Sequence, residues 1–344
     1  MGRLLFFGLV FLIPQLATAC SCVSIASDCD RSWIPKETAF LGRVTAVEKT
    51  GEGGFLSSYA ARFVVDEYFS GAAAGSEVTV YTGMGGGDCG YPFVPGVSYL
   101  VYAGQQNGDG RLHAGICSAT EPAVRVGGVL PELRAWRDHR RLDDLFGVVL
   151  QAPKGSGFAD LVESKPLAGV TVQAMGMYGQ SYSAQTDAMG AFAFPSLPAG
   201  MYIVRAGLPV GLTLLSGDAS ADVAGEGSGC ALSKSAKPDG RIEGIVVDAA
   251  GKPMRGFVTI QPSDPQEVAE ARRHGGLPGY DVAADGLFVL PLLPAGRYRL
   301  IFHPEKARGV DFATTYYWPA NADESIEIGL GQHITGLRFS VRTR

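Results

Sequence analysis

The chain has 344 residues, 46% of them hydrophobic, and 29 basic against 34 acidic side chains leave a net charge of −5. That length exceeds one small module and points to two or three domains with real cores, while a mildly acidic balance without a lysine or arginine block excludes nucleic acid as the expected partner. The 47 glycines and 20 prolines follow no period of three, which means turns between short strands rather than collagen or disorder.

Residues 1–19 read as a signal peptide: Arg3 is the positive flank, Leu4 to Ile13 the apolar core, and Ala17-Thr18-Ala19 the small-residue cleavage site. The run is shorter than the ~20 residues that span a bilayer, and no second stretch of that kind follows, so export without a transmembrane segment is expected, to the medium, the periplasm or the cell surface. Cleavage would leave Cys20 first. The alternative is a lipid anchor on Cys20, against which stands Ala17 where a lipobox prefers leucine. Six cysteines in an exported chain read as a disulfide framework rather than a zinc site.

Residues 20–143 alternate strand-like runs with turns. Ala39 to Val47, Tyr59 to Tyr68, Glu77 to Tyr81 and Ser98 to Tyr102 each read as a strand, and Leu130 to Leu142, with Pro131 in its first turn, reads as the one convincing helix. Short strands followed by one helix suit a small closed barrel. Cys20-Ser21-Cys22, Cys29, Cys89 and Cys117, with Ala39-Phe40-Leu41-Gly42-Arg43-Val44 after the first three, resemble the netrin-like domain of tissue inhibitors of metalloproteinases, an OB-type barrel. The resemblance implies the bonds Cys20–Cys89 and Cys22–Cys117, closing loops of roughly 70 and 95 residues, for which chain entropy suggests on the order of 4 to 5 kcal/mol each. It departs from the family at the third bond: no cysteine follows Cys117 before Cys230, so Cys29 and Cys230 either bridge two domains or are both unpaired. It also implies an inhibitory site, in which the amine and carbonyl of Cys20 chelate the zinc of a metalloprotease and Ser21 enters its pocket. Val23-Ser24-Ile25 lacks the proline-rich wedge of those inhibitors.

Downstream, two passages repeat. Gly190-Ala191-Phe192 leads to Pro198-Ala199-Gly200-Met201-Tyr202, and Gly286-Leu287-Phe288 leads to Pro294-Ala295-Gly296-Arg297-Tyr298, each with an aromatic residue two places after each glycine. Upstream, Gly147-Val148-Val149-Leu150 answers to Gly244-Ile245-Val246-Val247. An internal repeat of strands and tight turns marks two homologous β-sandwiches, residues 144–233 and 241–344, joined by a linker at 234–240. Gly190 and Gly286 suit a positive-φ hairpin turn, Gly200 and Gly296 a left-handed site after proline, and the aromatic residues core positions. The pattern resembles the carboxypeptidase regulatory-like domain, a transthyretin-like or immunoglobulin-like sandwich, whose implied role is that of a spacer, scaffold or binding module. The fold class is therefore mainly β, an OB-type netrin-like barrel with a C-terminal helix followed by two β-sandwiches.

Enzyme chemistry finds no footing. There is no H-E-x-x-H, G-x-S-x-G or P-loop, the histidines His113, His139, His274, His303 and His333 are dispersed, and Gly83 to Gly87 lies outside any strand-to-helix turn, so no catalytic residue, metal or cofactor is assigned. Asp281 and Asp285 suit a hairpin turn better than calcium. Tyr316, Tyr317 and Trp318 cannot all face one side of a strand, so at least one is exposed, as a candidate ligand-binding residue, or packs against a neighbouring sandwich, which explains the triplet as well. The reading is a non-enzymatic exported binding or scaffolding protein for extracellular polysaccharide or an envelope protein, with metalloprotease inhibition through Cys20 and Ser21 as the alternative. Intact mass and N-terminal sequencing of the exported protein are expected to return Cys20 with a free α-amine; a diacylglyceryl mass would show the lipid anchor instead.

Overall fold

The structure is a computed structural model that describes residues 22, 29, 31–51, 58–71, 75–85, 88–105, 110–154, 158–273, 276–305, 316–318 and 324–341. It is mainly β. The first unit is a closed barrel. Strands β1 (Thr38–Thr50), β2 (Ser58–Ser70), β3 (Glu77–Thr82), β4 (Ser98–Gln105) and β5 (Leu112–His113) pair in the order β1-β2-β3-β5-β4 and back to β1, with β6 (Glu121–Pro122) added beside β4. Among the described strands of the barrel only β3 and β5 run parallel. Closure falls to β1, which pairs with β4 over Thr38 to Arg43 and with β2 as far as Thr50. Three register shifts along β1 supply the coiling that a long strand needs to serve two neighbours. The barrel interior holds Phe40, Phe63, Tyr91, Phe93 and Tyr99, whose rings meet edge-on or tilted at 4.8 to 5.9 Å.

The helix α1 covers Val129–Arg137 and ends five residues before its apolar pattern suggests. Its stop is local. His139 takes a left-handed φ of 53°, its N–H donates to the carbonyl of Trp136, and that of Arg140 donates to Ala135, which closes the last turn as a Schellman motif. The sequence lacks the glycine that usually announces that motif.

Nine strands form the first sandwich: β7 (Leu145–Gln151), β8 (Lys165–Pro166), β9 (Thr171–Gly176), β10 (Ser181–Gln185), β11 (Ala191–Phe194), β12 (Gly200–Gly207), β13 (Leu212–Leu214), β14 (Ala219–Val223) and β15 (Cys230–Pro238). One sheet runs β11-β7-β15-β13 with β8 on β7, the other β10-β9-β12-β14. The second sandwich has β16 (Gly240–Val247), β17 (Gly256–Pro262), helix α2 (Pro265–Arg273), β18 (Gly279–Val282), β19 (Leu287–Leu293), β20 (Gly296–Pro304), β21 (Tyr316–Trp318), β22 (Ile326–Ile328) and β23 (His333–Ser340). Its sheets are β19-β16-β23 and β18-β17-β20-β21, with β22 on β20. In both units the first strand lies parallel to the last, β7 with β15 and β16 with β23.

Three expectations need correction. Residues 234–238 are no linker: β15 continues to Pro238, paired with β7 and β13, and β16 begins at Gly240, so a single residue, Asp239, separates the sandwiches. Lys234 is 1% exposed, its ammonium donating to the Gly217 carbonyl. Helix α1 is not alone, since Asp264 caps α2 by accepting the Gln266 N–H. Gly200 and Gly296 open β12 and β20 rather than sitting in a turn; Gly200 keeps a positive φ of 152°, whereas Gly296 does not. The turn before each is held instead by the aromatic residue two places on: the Tyr202 hydroxyl donates to Pro198 and the Tyr298 hydroxyl to Pro294, both at 2.8 Å.

The repeat also explains a pair of strand glycines. A Cβ on Gly147 would stand 2.1 Å from the Leu232 carbonyl oxygen and 2.8 Å from the Phe192 ring; one on Gly244 would stand 2.4 Å from that of Leu337 and 2.8 Å from the Phe288 ring. Each glycine lets a buried phenylalanine lie over the first strand while the last strand crosses close beside it. Gly147→Ala and Gly244→Ala are therefore expected to cost about 2 kcal/mol or more each, read by urea denaturation.

Candidate functional site

The barrel and the first sandwich are not beads on a string. Strands β1 and β4 turn Phe40, Val44, Tyr99 and Val101 inward, which sends Ala39, Leu41, Leu100 and Tyr102 outward. Strand β7 likewise sends Leu145 and Val149 into the sandwich and Phe146 out of it. These outward residues meet over α1, forming a junction core with Trp33, Phe69, Val126 and Leu133. Trp33 and Phe146 pack edge to face at 5.3 Å. Gly127 and Gly128 let the chain entering α1 lie on the sandwich: a Cβ on Gly128 would sit 2.2 Å from the Gly147 carbonyl oxygen, and one on Gly127 2.9 Å from Met189.

Polar groups finish the clamp. The Trp33 indole N–H donates to the Gly229 carbonyl at 3.1 Å, and the Tyr102 hydroxyl donates to the Trp33 carbonyl. Asp144 is completely buried, its carboxylate accepting the N–H groups of Leu197 and Gly227 while its carbonyl accepts from Ser228 and Cys230. Covalent bonds add to it: Cys29 bonds to Cys230 across 201 residues of sequence, and Cys22 bonds to Cys117 within the barrel. Cys89 is disulfide-bonded too, and no described cysteine is free. Cys20 and Ser21, the candidate inhibitory pair, lie outside the described residues. Next to Cys89 the Asp88 carboxylate accepts three backbone N–H groups, from Met84, Gly85 and Gly90; burial opposes its ionisation, but these bonds hold its pKa below the usual carboxylate range.

At the foot of α1 two acidic groups share the junction. Glu132 is 5% exposed, and burial pushes its pKa up to about 7, with the adjacent Asp143 carboxyl adding to the rise while the Asp143 N–H, bonded to Glu132 at 2.9 Å, opposes it. Asp143 is raised too, again first by burial.

Between barrel and sandwich the junction leaves a cleft of about 300 Å³. Its floor is Leu100, Val126, Val129 and the backbone of Gly147, and its rim includes Ser118 and Ser233. Glu121 and Arg125 face each other in it at 2.8 Å, and a second guanidinium nitrogen donates to Ser164 at 3.1 Å. Burial raises the Glu121 pKa and Arg125 opposes the rise. Sequence reading passed over this pair, whose one signal was the four-residue spacing from Glu121 to Arg125 just before the helix. A shallower hollow of about 500 Å³ at the end of α1 has Phe69 and Trp136 in its wall, but Arg137 and Arg140 on its rim are paired with Glu67 and Asp138.

The aromatic triplet is far from this junction in the chain and lies in the second sandwich. Trp318 pairs with Leu300 and packs half-buried against that sandwich's core; the side chains of Tyr316 and Tyr317 lie outside the described ones. Asp285 accepts the Leu287 N–H as a turn residue, and Asp281 sits in β18 opposite Phe257. Among the described residues no three acidic, histidine or cysteine side chains converge as a metal site, and no helix is long and apolar enough to cross a membrane.

No protein-family model matches the chain, and no curated protein matches it. Solved structures that overlay on it include the TIE protein of Bacillus anthracis, at 13% identity over 90% of this chain and 48% of that one, with a TM-score of 0.27. The minor pilin GBS52 of Streptococcus agalactiae overlays at 14% identity, 58% and 95% coverage and a TM-score of 0.22, and the major pilin SpaD of Corynebacterium diphtheriae at 12%, 48% and 63%, and 0.25. The chain spans about half the length of the TIE protein. Overlays this loose carry no argument about activity.

The Glu132–Asp143 pair sets a pH dependence. A folded-state pKa raised above the unfolded value means stability that is fully present below about 4.5 and lost as pH rises through about 7. Wild-type protein is expected to lose on the order of 2 kcal/mol between pH 5 and 8 relative to Glu132→Gln, whose profile should lack that fall in chemical denaturation.

Proposed function

We propose that this is a non-enzymatic exported protein that binds extracellular polysaccharide or an envelope protein, built as a netrin-like barrel of OB type followed by two carboxypeptidase regulatory-like sandwiches. The observation that carries this reading is the junction: one core, the bond from the Trp33 indole to Gly229 and the Cys29–Cys230 bond weld the barrel to the first sandwich. Such a weld presents a fixed surface, and preorganisation lowers the ordering cost of binding. The barrel's strand order with its parallel β3–β5 pair, and the parallel first and last strands of both sandwiches, support the two family likenesses. Polysaccharide is favoured by the cleft at the weld, whose apolar residues surround a mutually neutralised Glu121–Arg125 pair and the serines Ser118 and Ser233. Tyr316, Tyr317 and Trp318 form a second candidate contact.

Inhibition of a zinc metalloprotease through Cys20 and Ser21 rests on the resemblance alone and is the competing outcome of one test. The oxidised protein is applied to a glycan array and, at micromolar concentration, to a panel of zinc endopeptidases. Binding to a glycan class with the peptidases unaffected is expected. No glycan bound, with peptidase inhibition abolished by acetylating the N-terminus, would reverse the assignment.

A further inference from the structure

We propose that the cleft between the barrel and the first sandwich binds a single pyranose ring at the end of a polysaccharide, with Glu121 and Arg125 bridging two adjacent hydroxyls. The inference rests on the binding-protein reading and adds the place and the chemistry.

Four observations lead there. The first is size: about 300 Å³ lies at the lower end of ligand pockets, room for one ring and not for a chain running through. The second is the pattern of unused hydrogen-bonding capacity. Arg125 spends Nε on Glu121 Oε2 and Nη1 on Ser164, and among the described residues no further side-chain bond reaches Glu121, which leaves one carboxylate oxygen as an acceptor and one guanidinium nitrogen as a donor in the lining of the cleft. Neighbouring sugar hydroxyls each donate and accept, which answers that pair.

The third is charge. The carboxylate and the guanidinium neutralise one another, and Ser118 and Ser233, which also line the cleft, bring only hydroxyls. An anion would meet Glu121 and a cation would meet Arg125, whereas a neutral polyol meets neither penalty. The fourth is the cost of keeping the pair there. The pair is partly buried, the Arg125 and Glu121 side chains being 14% and 37% exposed, so it gives up part of its solvation while lining the space a ligand would enter. The low-dielectric walls of Leu100, Val126 and Val129 strengthen any hydrogen bond formed between them. Because the two walls belong to different units clamped by the Cys29–Cys230 bond, the cleft is shaped before the ligand arrives.

The test uses the full oxidised protein and saturation-transfer NMR against a panel of probes: glucose, galactose, mannose and N-acetylglucosamine, each with the linear hexasaccharide that it terminates. At least one sugar is expected to bind both as monosaccharide and as chain end, with affinity at least tenfold weaker in Arg125→Gln and in Ser233→Trp. The second substitution plugs the mouth from an exposed position, so it tests the cleft without disturbing the core. Absence of binding by the whole panel, or binding that both variants leave intact, overturns the proposal. Monosaccharide binding without the matching hexasaccharide overturns the polysaccharide assignment. The two levels separate cleanly: glycan binding on the array that persists in Ser233→Trp sinks the cleft and leaves the binding function standing, while an array without any binding sinks both.

Discussion

The packing of Trp33 and Phe146 across the seam between barrel and sandwich is the contact on which the rest of the architecture depends. A strand in a small sandwich ordinarily buries one face. Strand β7 buries both, because Phe146 leaves its own sandwich and enters a core that the barrel and α1 complete. Once that seam is dry, its polar neighbours must find partners, and they do so locally: Asp144 gathers the Leu197 turn and the glycine loop at 225–229, and Trp33 hands its indole proton to Gly229. The glycine run at 225–229 is thereby a structural cap. The disulfide from Cys29 to Cys230 closes over the same place.

The two sandwiches show how one repeat serves different ends. They share the strand glycine under a phenylalanine, the hairpin glycine at positive φ, and the tyrosine whose hydroxyl returns to the proline carbonyl four residues before it. They part at the residue before the strand glycine, Phe146 in one copy and Glu243 in the other. Glu243 pairs with Arg241 at a half-buried position, so that face of the second sandwich carries no apolar anchor of the kind that receives the barrel. The first copy thus carries at this position the phenylalanine that enters the junction core, where the second carries a paired glutamate.

Legibility in the sequence tracked how local the cause was. The long barrel strands, the repeat, the hairpin glycines and the buried aromatic residues follow from alternation and turn chemistry within a few residues, and they stand in the structure near where the pattern puts them. Helix α2 was also written locally, as Asp264-Pro265, and went unread. The end of α1 was not legible, because the residue that turns left-handed is a histidine rather than a glycine. The assumed linker misled for a physical reason: Lys234-Ser235-Ala236-Lys237-Pro238 is polar in composition, yet alternate residues bury their side chains and Lys234 finds a carbonyl inside. The Glu121–Arg125 pair was invisible as a site, since its significance comes from walls supplied by residues far away in the chain.

The sequence by itself determined a mainly β chain of short strands, a duplicated sandwich and a framework of paired cysteines, because periodicity, turn residues and composition are properties of neighbours along the chain. The tertiary structure decided that the barrel and the first sandwich are one welded body, which cysteine Cys29 reaches, and where a cleft with a matched acid and base opens. Those features arise where surfaces from distant segments meet, and the energy that selects them, burial of a shared face and the pairing of groups it dehydrates, does not exist until they do.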